Sequence, residues 1–214
     1  MIALDFGGHG LSEDRDSYGY GEYERDLMCL LDELGLERVA VAGHSLGGYV
    51  ALLAATRSDR LASVLAIDVK SDWTDADAEL ADRSRDASQR LEPQRDVLVD
   101  RLARSIPVSL EPTELDELAE RSLEQVEGGW RFRWDRRVLA TDPVDPFAFL
   151  ADVKCPTRVM AGTESDVMPP AAAEQFAAAI PDGVLDLVVG VGHHVELEAP
   201  DRVARAIRAL FGPR

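Results

Sequence analysis

The stretch "RVAVAGHSLGGYVALLA" (38–54) restricts the fold more than any other part of the chain. Val and Ala over 38–43 read as a buried strand, and the helix formers over 46–57 read as a helix, so Gly43-His44-Ser45-Leu46-Gly47 must be a sharp reversal between them. Such a turn holds Ser45 in a strained conformation and pushes its hydroxyl out at the top of a sheet. Side chains at Gly43 and Gly47 are expected to collide there, which is why both would be glycine. The Leu46 N–H, at the start of the helix, would point to where an oxyanion forms. G-x-S-x-G in this strand-to-helix setting marks Ser45 as a candidate nucleophile rather than an incidental turn residue.

Three more apolar runs repeat the rhythm: "SVLAID" (63–68), "TRVMAG" (157–162) and "VLDLVVG" (184–190), with helical patterns between. "IALD" (2–5) reads as a further strand running into a glycine-rich loop. Tyr23, Leu27, Leu30, Leu31 and Leu34 form one helical stripe that Gly35 is placed to end. Strands alternating with helices predict a doubly wound, mostly parallel α/β sheet. Residues 71–148 break the rhythm, being rich in Asp, Glu and Arg without a convincing core strand, and are expected to form a helical cap inserted in a core made of 1–70 and 149–214. Within it, Leu115, Leu118, Ala119, Ser122 and Val126 share a helical face after a Thr113-x-x-Asp116 start that resembles a capping box. "GGWRFRWDRR" (128–137), if extended, places Trp130, Phe132 and Trp134 on one side.

A serine hydroxyl needs a base, and the chain has four histidines: His9, His44, His193 and His194. His44 lies in the turn itself and His9 follows the first apolar run. "GVGHHVELEAP" (190–200) instead follows the last strand and opens at the carboxyl edge of a parallel sheet, the edge that carries Ser45. His193 is therefore the candidate base, with His194 and His44 as pocket walls. The acid that orients it should come from an adjacent strand end. Asp166, past the strand 157–162, is the expected residue, with Asp68 and Glu164 the other carboxylates that geometry allows. Trp73, Trp130, Trp134 and Met168 are candidate substrate contacts, although the tryptophans suit a cap core equally well. Arg131, Arg133, Arg136 and Arg137 either hold an anionic substrate tail or pair with the cap's acids.

Composition narrows the partners. A net charge of −17 repels polyanions, so nucleic acid is not an expected partner. No run approaches the roughly 20 apolar residues of a membrane span, and the N-terminus has no basic leader, so a cytoplasmic protein without a membrane partner is expected. Cys29 and Cys155, with no CxxC spacing or paired histidines, are expected to be reduced and buried, and neither a metal nor another cofactor is anticipated. The expected partner is a small ester-like substrate, and a homodimer is allowed.

The order Ser45, Asp166, His193 resembles that of the α/β-hydrolase superfamily. "IALDFGGHGLS" is similar to the segment after that family's fourth strand, and "GTESDVMPP" and "GHHVELEAP" are similar to its acid and histidine segments. The likeness covers 2–70 and 150–211, with the insertion where the family carries its lid, and is nearest to small cofactor-free esterases, lactonases, perhydrolases and carbon–carbon bond hydrolases. It implies a Ser-His-Asp hydrolase with Leu46 N–H as one oxyanion donor. In that family three strands precede "IALD", and the loop after the third supplies the second donor. The expectation is that residues 2–5 pair with 39–43, that another chain donates a strand, or that Met1 is internal to a longer reading frame.

Overall fold

The computed structural model describes residues 1–106, 108, 110–141 and 144–210. They form two compact units, one of Met1–Asp26 with Asp75–Asp142, the other of Leu27–Thr74 with Pro143–Arg214.

The second unit carries the sheet. Helix α1 (Tyr20–Glu33) ends before Gly35, whose φ of 60° is the left-handed geometry a helix terminus favours. Then come β1 (Val39–His44), α2 (Leu46–Arg57) and β2 (Leu61–Ile67). The strands run parallel in the order β1-β2-β5-β6, where β5 is Thr157–Gly162 and β6 is Gly183–Val188. All four fall where the apolar runs put them. Helix α2 is apolar on every side and accordingly buries Tyr49, Val50, Ala51, Leu52, Ala54 and Ala55. Helix α6 (Pro170–Ala178) packs on β5 and β6, and α8 (Pro200–Leu210) packs on β2. Leu65, Ile67, Met160, Val188, Val191, Val195, Val203 and Ala206 close the core. Central β2 is almost wholly buried, whereas β1, at the sheet's edge, has no fully buried residue.

The first unit corrects the expected domain limits. Residues 2–5 are not a strand and do not pair with β1. Asp5 turns back to accept the Leu11 N–H at 3.0 Å. The glycine loop then bonds to the segment after the hairpin, with Gly10 N–H to Arg133 O at 2.7 Å and Asp135 N–H to Gly8 O at 2.8 Å. Those bonds tie the N-terminal residues to 75–142 rather than to the sheet. Here lie α3 (Asp75–Ser84), α4 (Arg95–Ser105), α5 (Pro112–Ser122) and an antiparallel hairpin of β3 (Leu123–Val126) and β4 (Gly129–Phe132). The hairpin was not expected. Val126 leaves the helical face assigned to it because α5 stops at Ser122, and Gly128 and Gly129 take positive φ to close the turn. The capping box is also displaced: Glu114 accepts the Glu111 N–H at 2.9 Å, two residues ahead of the predicted Thr113 and Asp116.

No helix among the described residues is long and apolar enough to cross a membrane. Cys155 is buried as expected, but Cys29 is exposed.

Candidate active site

Strand register alone assembles most of the site. His44, the last residue of β1, stands opposite Ile67, the last of β2, and Ile67 stands opposite Met160 of β5. Ser45 and Asp68 are therefore the first residues beyond two neighbouring strand ends. Ser45 N–H bonds to Ile67 O at 2.8 Å and Asp68 N–H to Met160 O at 2.7 Å, so each is pinned to the adjacent strand. Ser45 has φ 50° and Asp68 φ 45°, the positive-φ residues other than glycine among those described. Backbone strain in the unit is thus concentrated at this edge.

The elbow accounts for one flanking glycine and not the other. A Cβ on Gly43 would stand 2.2 Å from the Gly47 carbonyl carbon, whereas one on Gly47 would meet nothing within 4 Å. The second crowded position is Gly48, where a Cβ would lie 2.6 Å from Val69 and 2.8 Å from Gly43 O. Helix α2 begins at Leu46, so its N–H is one of the first-turn donors without an intrahelical partner.

His193 reaches the site because the loop after β6 lies against the end of β5. A Cβ on Gly162 would be 2.1 Å from Val191 O, so only glycine admits this approach. Farther along, the Glu198 carboxylate at the end of α7 (Val195–Glu198) accepts the Gly192 N–H at 3.0 and 3.1 Å and holds the residue before His193. His193 Nδ1 lies 2.8 Å from Asp68 Oδ1. The Asp68 side chain is fully buried and also accepts Gly162 N–H at 3.0 Å and the Ser165 hydroxyl at 2.6 Å. Three donors surround one carboxylate and fix it in position.

This corrects the expected acid. Asp166 is exposed, and Ser165, one residue earlier, is the residue of that loop that turns inward to Asp68. Ser165 Oγ in turn accepts the Val167 and Met168 N–H groups, both at 3.1 Å, so its own proton is committed to the carboxylate. Glu164 is also exposed, its N–H bonding to Val191 O at 2.9 Å. Sequence reasoning weighed Asp68 but missed Ser165, Gly162 and Glu198. The legible signal was that Asp68 directly follows the strand beside the nucleophile's.

His44 packs against His193 with ring centroids 4.5 Å apart and the planes tilted by 46°, and its Nε2 donates to His193 O at 2.9 Å. Burial lowers the His44 pKa, with help from His193 and His194, against the opposing pull of Glu196. His194 lies 5.1 Å from His193, ring to ring, and 3.1 Å from Glu196 Oε1. No hydrogen bond joins Ser45 to His193 among the described residues, as is common before substrate draws the pair together.

The proposed substrate contacts divide. Met168 is wholly buried, and Trp73 is half-buried beneath Lys70 Nζ at 5.5 Å. Trp130 and Trp134 belong to the first unit, where Trp130 packs against the Leu98, Ala119 and Leu123 cluster and Trp134 pairs with His9. Of the arginines, Arg131 and Arg133 bond Glu124 at 2.6 and 3.4 Å and Arg137 bonds Asp135 at 2.5 Å, so three of the four are neutralised by acids of that unit.

Comparison with known proteins agrees with this architecture. The model of the alpha/beta hydrolase family matches residues 1–206, and the chain belongs to that family. The relatives it matches include proteins named as an esterase and as a hydrolase. Esterase YbfF of Escherichia coli is 25% identical over 215 residues, spanning 97% of this chain and 81% of that protein. A 2-(acetamidomethylene)succinate hydrolase of Mesorhizobium japonicum is 29% identical over 220 residues, spanning 96% and 76%. A solved E-2-(acetamidomethylene)succinate hydrolase superposes with a TM-score of 0.83 at 25% identity, covering 97% of this chain and 79% of that one.

Proposed function

We propose that this chain is a serine hydrolase that cleaves a small carboxylic ester, thioester or lactone through an acyl-enzyme. The observation that carries the reading is the Asp68–His193 pair beside a serine held at φ 50° on the end of β1. Ser45 attacks the carbonyl carbon, and His193 accepts its proton and returns it to the leaving group. Asp68 fixes the imidazole with its proton on Nδ1, leaving Nε2 as the base, and the Leu46 N–H stabilises the oxyanion. Relatives named as an esterase and as an amide-bearing succinate hydrolase support acyl chemistry.

Steady-state assays with short-chain aryl esters, thioesters and lactones test the proposal, with a vinylogous diketone and acetate plus hydrogen peroxide run in parallel. Turnover of an acyl substrate that vanishes in Ser45→Ala supports it. Cleavage confined to the diketone, or peracid formation without ester hydrolysis, would move the chemistry to another bond.

A further inference from the structure

Beside the candidate triad, His44, His194 and Glu196 each offer a ligand atom within 4.8 Å of the others. We propose that this cluster binds a divalent transition-metal cation such as zinc, and that occupancy silences the neighbouring hydrolytic site. Binding follows from the cluster alone, whereas the loss of activity rests on the serine-hydrolase reading.

The hydrogen bonds dictate where lone pairs point. His44 Nε2 lies 2.9 Å from the His193 carbonyl oxygen, which can only accept, so the His44 proton sits on Nε2. In the neutral ring Nδ1 then presents its lone pair to Glu196 Oε1 at 3.6 Å. The same oxygen lies 3.1 Å from His194 Nδ1, which donates to it when no metal is bound. Glu196 Oε2 is buried without a hydrogen-bond partner. An imidazole lone pair and a carboxylate thus face one another at 3.6 Å, and a cation would accept from both.

The surroundings resemble those of a metal ligand. A ligating histidine ordinarily donates its second ring N–H to a carbonyl or carboxylate, which fixes the tautomer and aims the free nitrogen, and the His193 carbonyl does this for His44. Ligands about 2.0–2.2 Å from a tetrahedral zinc stand about 3.4 Å apart. The separations of 3.1 and 3.6 Å bracket that spacing. For His194 to ligate through Nδ1 its proton moves to Nε2, at little cost in a side chain 33% exposed to water. Two imidazoles and a carboxylate, with a fourth position for water, suit zinc, whereas calcium and magnesium prefer oxygen alone. The net charge of −17 raises the local concentration of cations. No sequence spacing announces the site, because His44 comes from the end of β1 and the other two ligands from the segment after β6, two strands that are not neighbours in the sheet.

The His44 and His193 ring centroids are 4.5 Å apart, and His44 Nε2 holds the His193 carbonyl oxygen at 2.9 Å. A metal on His44 would draw that ring away from His193 and pull the His193 carbonyl with it, moving the base out of line with Ser45.

The test uses the full chain, stripped with chelator, then titrated with zinc chloride by calorimetry and with cobalt chloride by visible absorption. One equivalent of zinc should bind, and cobalt should develop the d–d bands of a low-coordinate nitrogen–oxygen site. Ester hydrolysis should fall about tenfold or more at saturation and return with EDTA, with magnesium chloride inert. Glu196→Gln should keep its hydrolysis, lose zinc affinity about tenfold or more, and resist inhibition. His194→Ala, read by binding alone, should show the same loss. Zinc affinity unchanged in both variants, or no cobalt bands, would overturn the proposal. Zinc binding that depends on Glu196 in a chain that hydrolyses nothing would leave the site standing and remove the serine-hydrolase reading instead.

Discussion

Replacing Asp68 by Asn separates the acid found in the structure from the one the loop after β5 suggested. The carboxylate serves three donors: Gly162 N–H at 3.0 Å, the Ser165 hydroxyl at 2.6 Å and His193 Nδ1 at 2.8 Å. An amide has one oxygen and one NH2, so one of two contacts must fail. If the NH2 faces Gly162, two donors meet in a fully buried position, at about 1–3 kcal/mol of stability. If it faces His193, the imidazole is forced to carry its proton on Nε2 and can no longer take one from Ser45. Loss of the correct tautomer costs about 10⁴ in kcat, or about 5 kcal/mol of barrier. Asp68→Asn should therefore lower kcat for an aryl ester by about 10³–10⁴ with KM little changed, and lower stability by about 1–3 kcal/mol in a denaturant melt. Exposed Asp166→Asn should stay within about 0.5 kcal/mol in stability and about threefold in kcat. A severe Asp166→Asn beside a mild Asp68→Asn would refute the assignment.

Other expectations follow from the same geometry. Ser45→Gly removes a side chain from φ 50° and should abolish turnover while raising stability by about 1–3 kcal/mol, read as a higher Tm; an unchanged or lower Tm would argue against strain at the elbow. Gly43→Ala should destabilise by about 3 kcal/mol or more because its methyl meets backbone, whereas Gly47→Ala should fold nearly normally; equal effects would contradict the crowding pattern. Burial pushes the Tyr23 and Tyr49 phenols up and carries Tyr18 to about 12. Because the folded values exceed the unfolded value of about 10, this contribution is complete below pH 10 and is lost as pH rises through the folded values. Unfolding free energy measured from about pH 10 to 12 should decline, and a flat profile would count against that burial.

What could be read in advance was local. The elbow is specified by consecutive residues, since a strand, a Gly43 that only glycine can occupy and an apolar helix follow one another without help from distant chain. The sheet strands were legible for the same reason, each being a continuous apolar run. The acid was not, because Asp68 and Asp166 follow neighbouring parallel strands and differ only in which carboxylate the histidine loop meets. That choice is made by the close approach at Gly162 and by Ser165 turning inward, neither visible before the chain is folded. "IALD" misled because an apolar run says nothing about a pairing partner; the backbone bonds of Gly8 and Gly10 to 133–135 place it elsewhere. The hairpin of β3 and β4 hid among residues whose spacing also fits a helix.

Covalent labelling asks without an intermediary whether Ser45 carries the acyl group. The intact chain is treated with a fluorophosphonate, digested, and the peptides weighed. One adduct is expected, on Ser45, formed much more slowly in Asp68→Asn and at the native rate in Asp166→Asn. An unlabelled Ser45 in a chain that still hydrolyses ester, or full activity in Ser45→Ala, would contradict it.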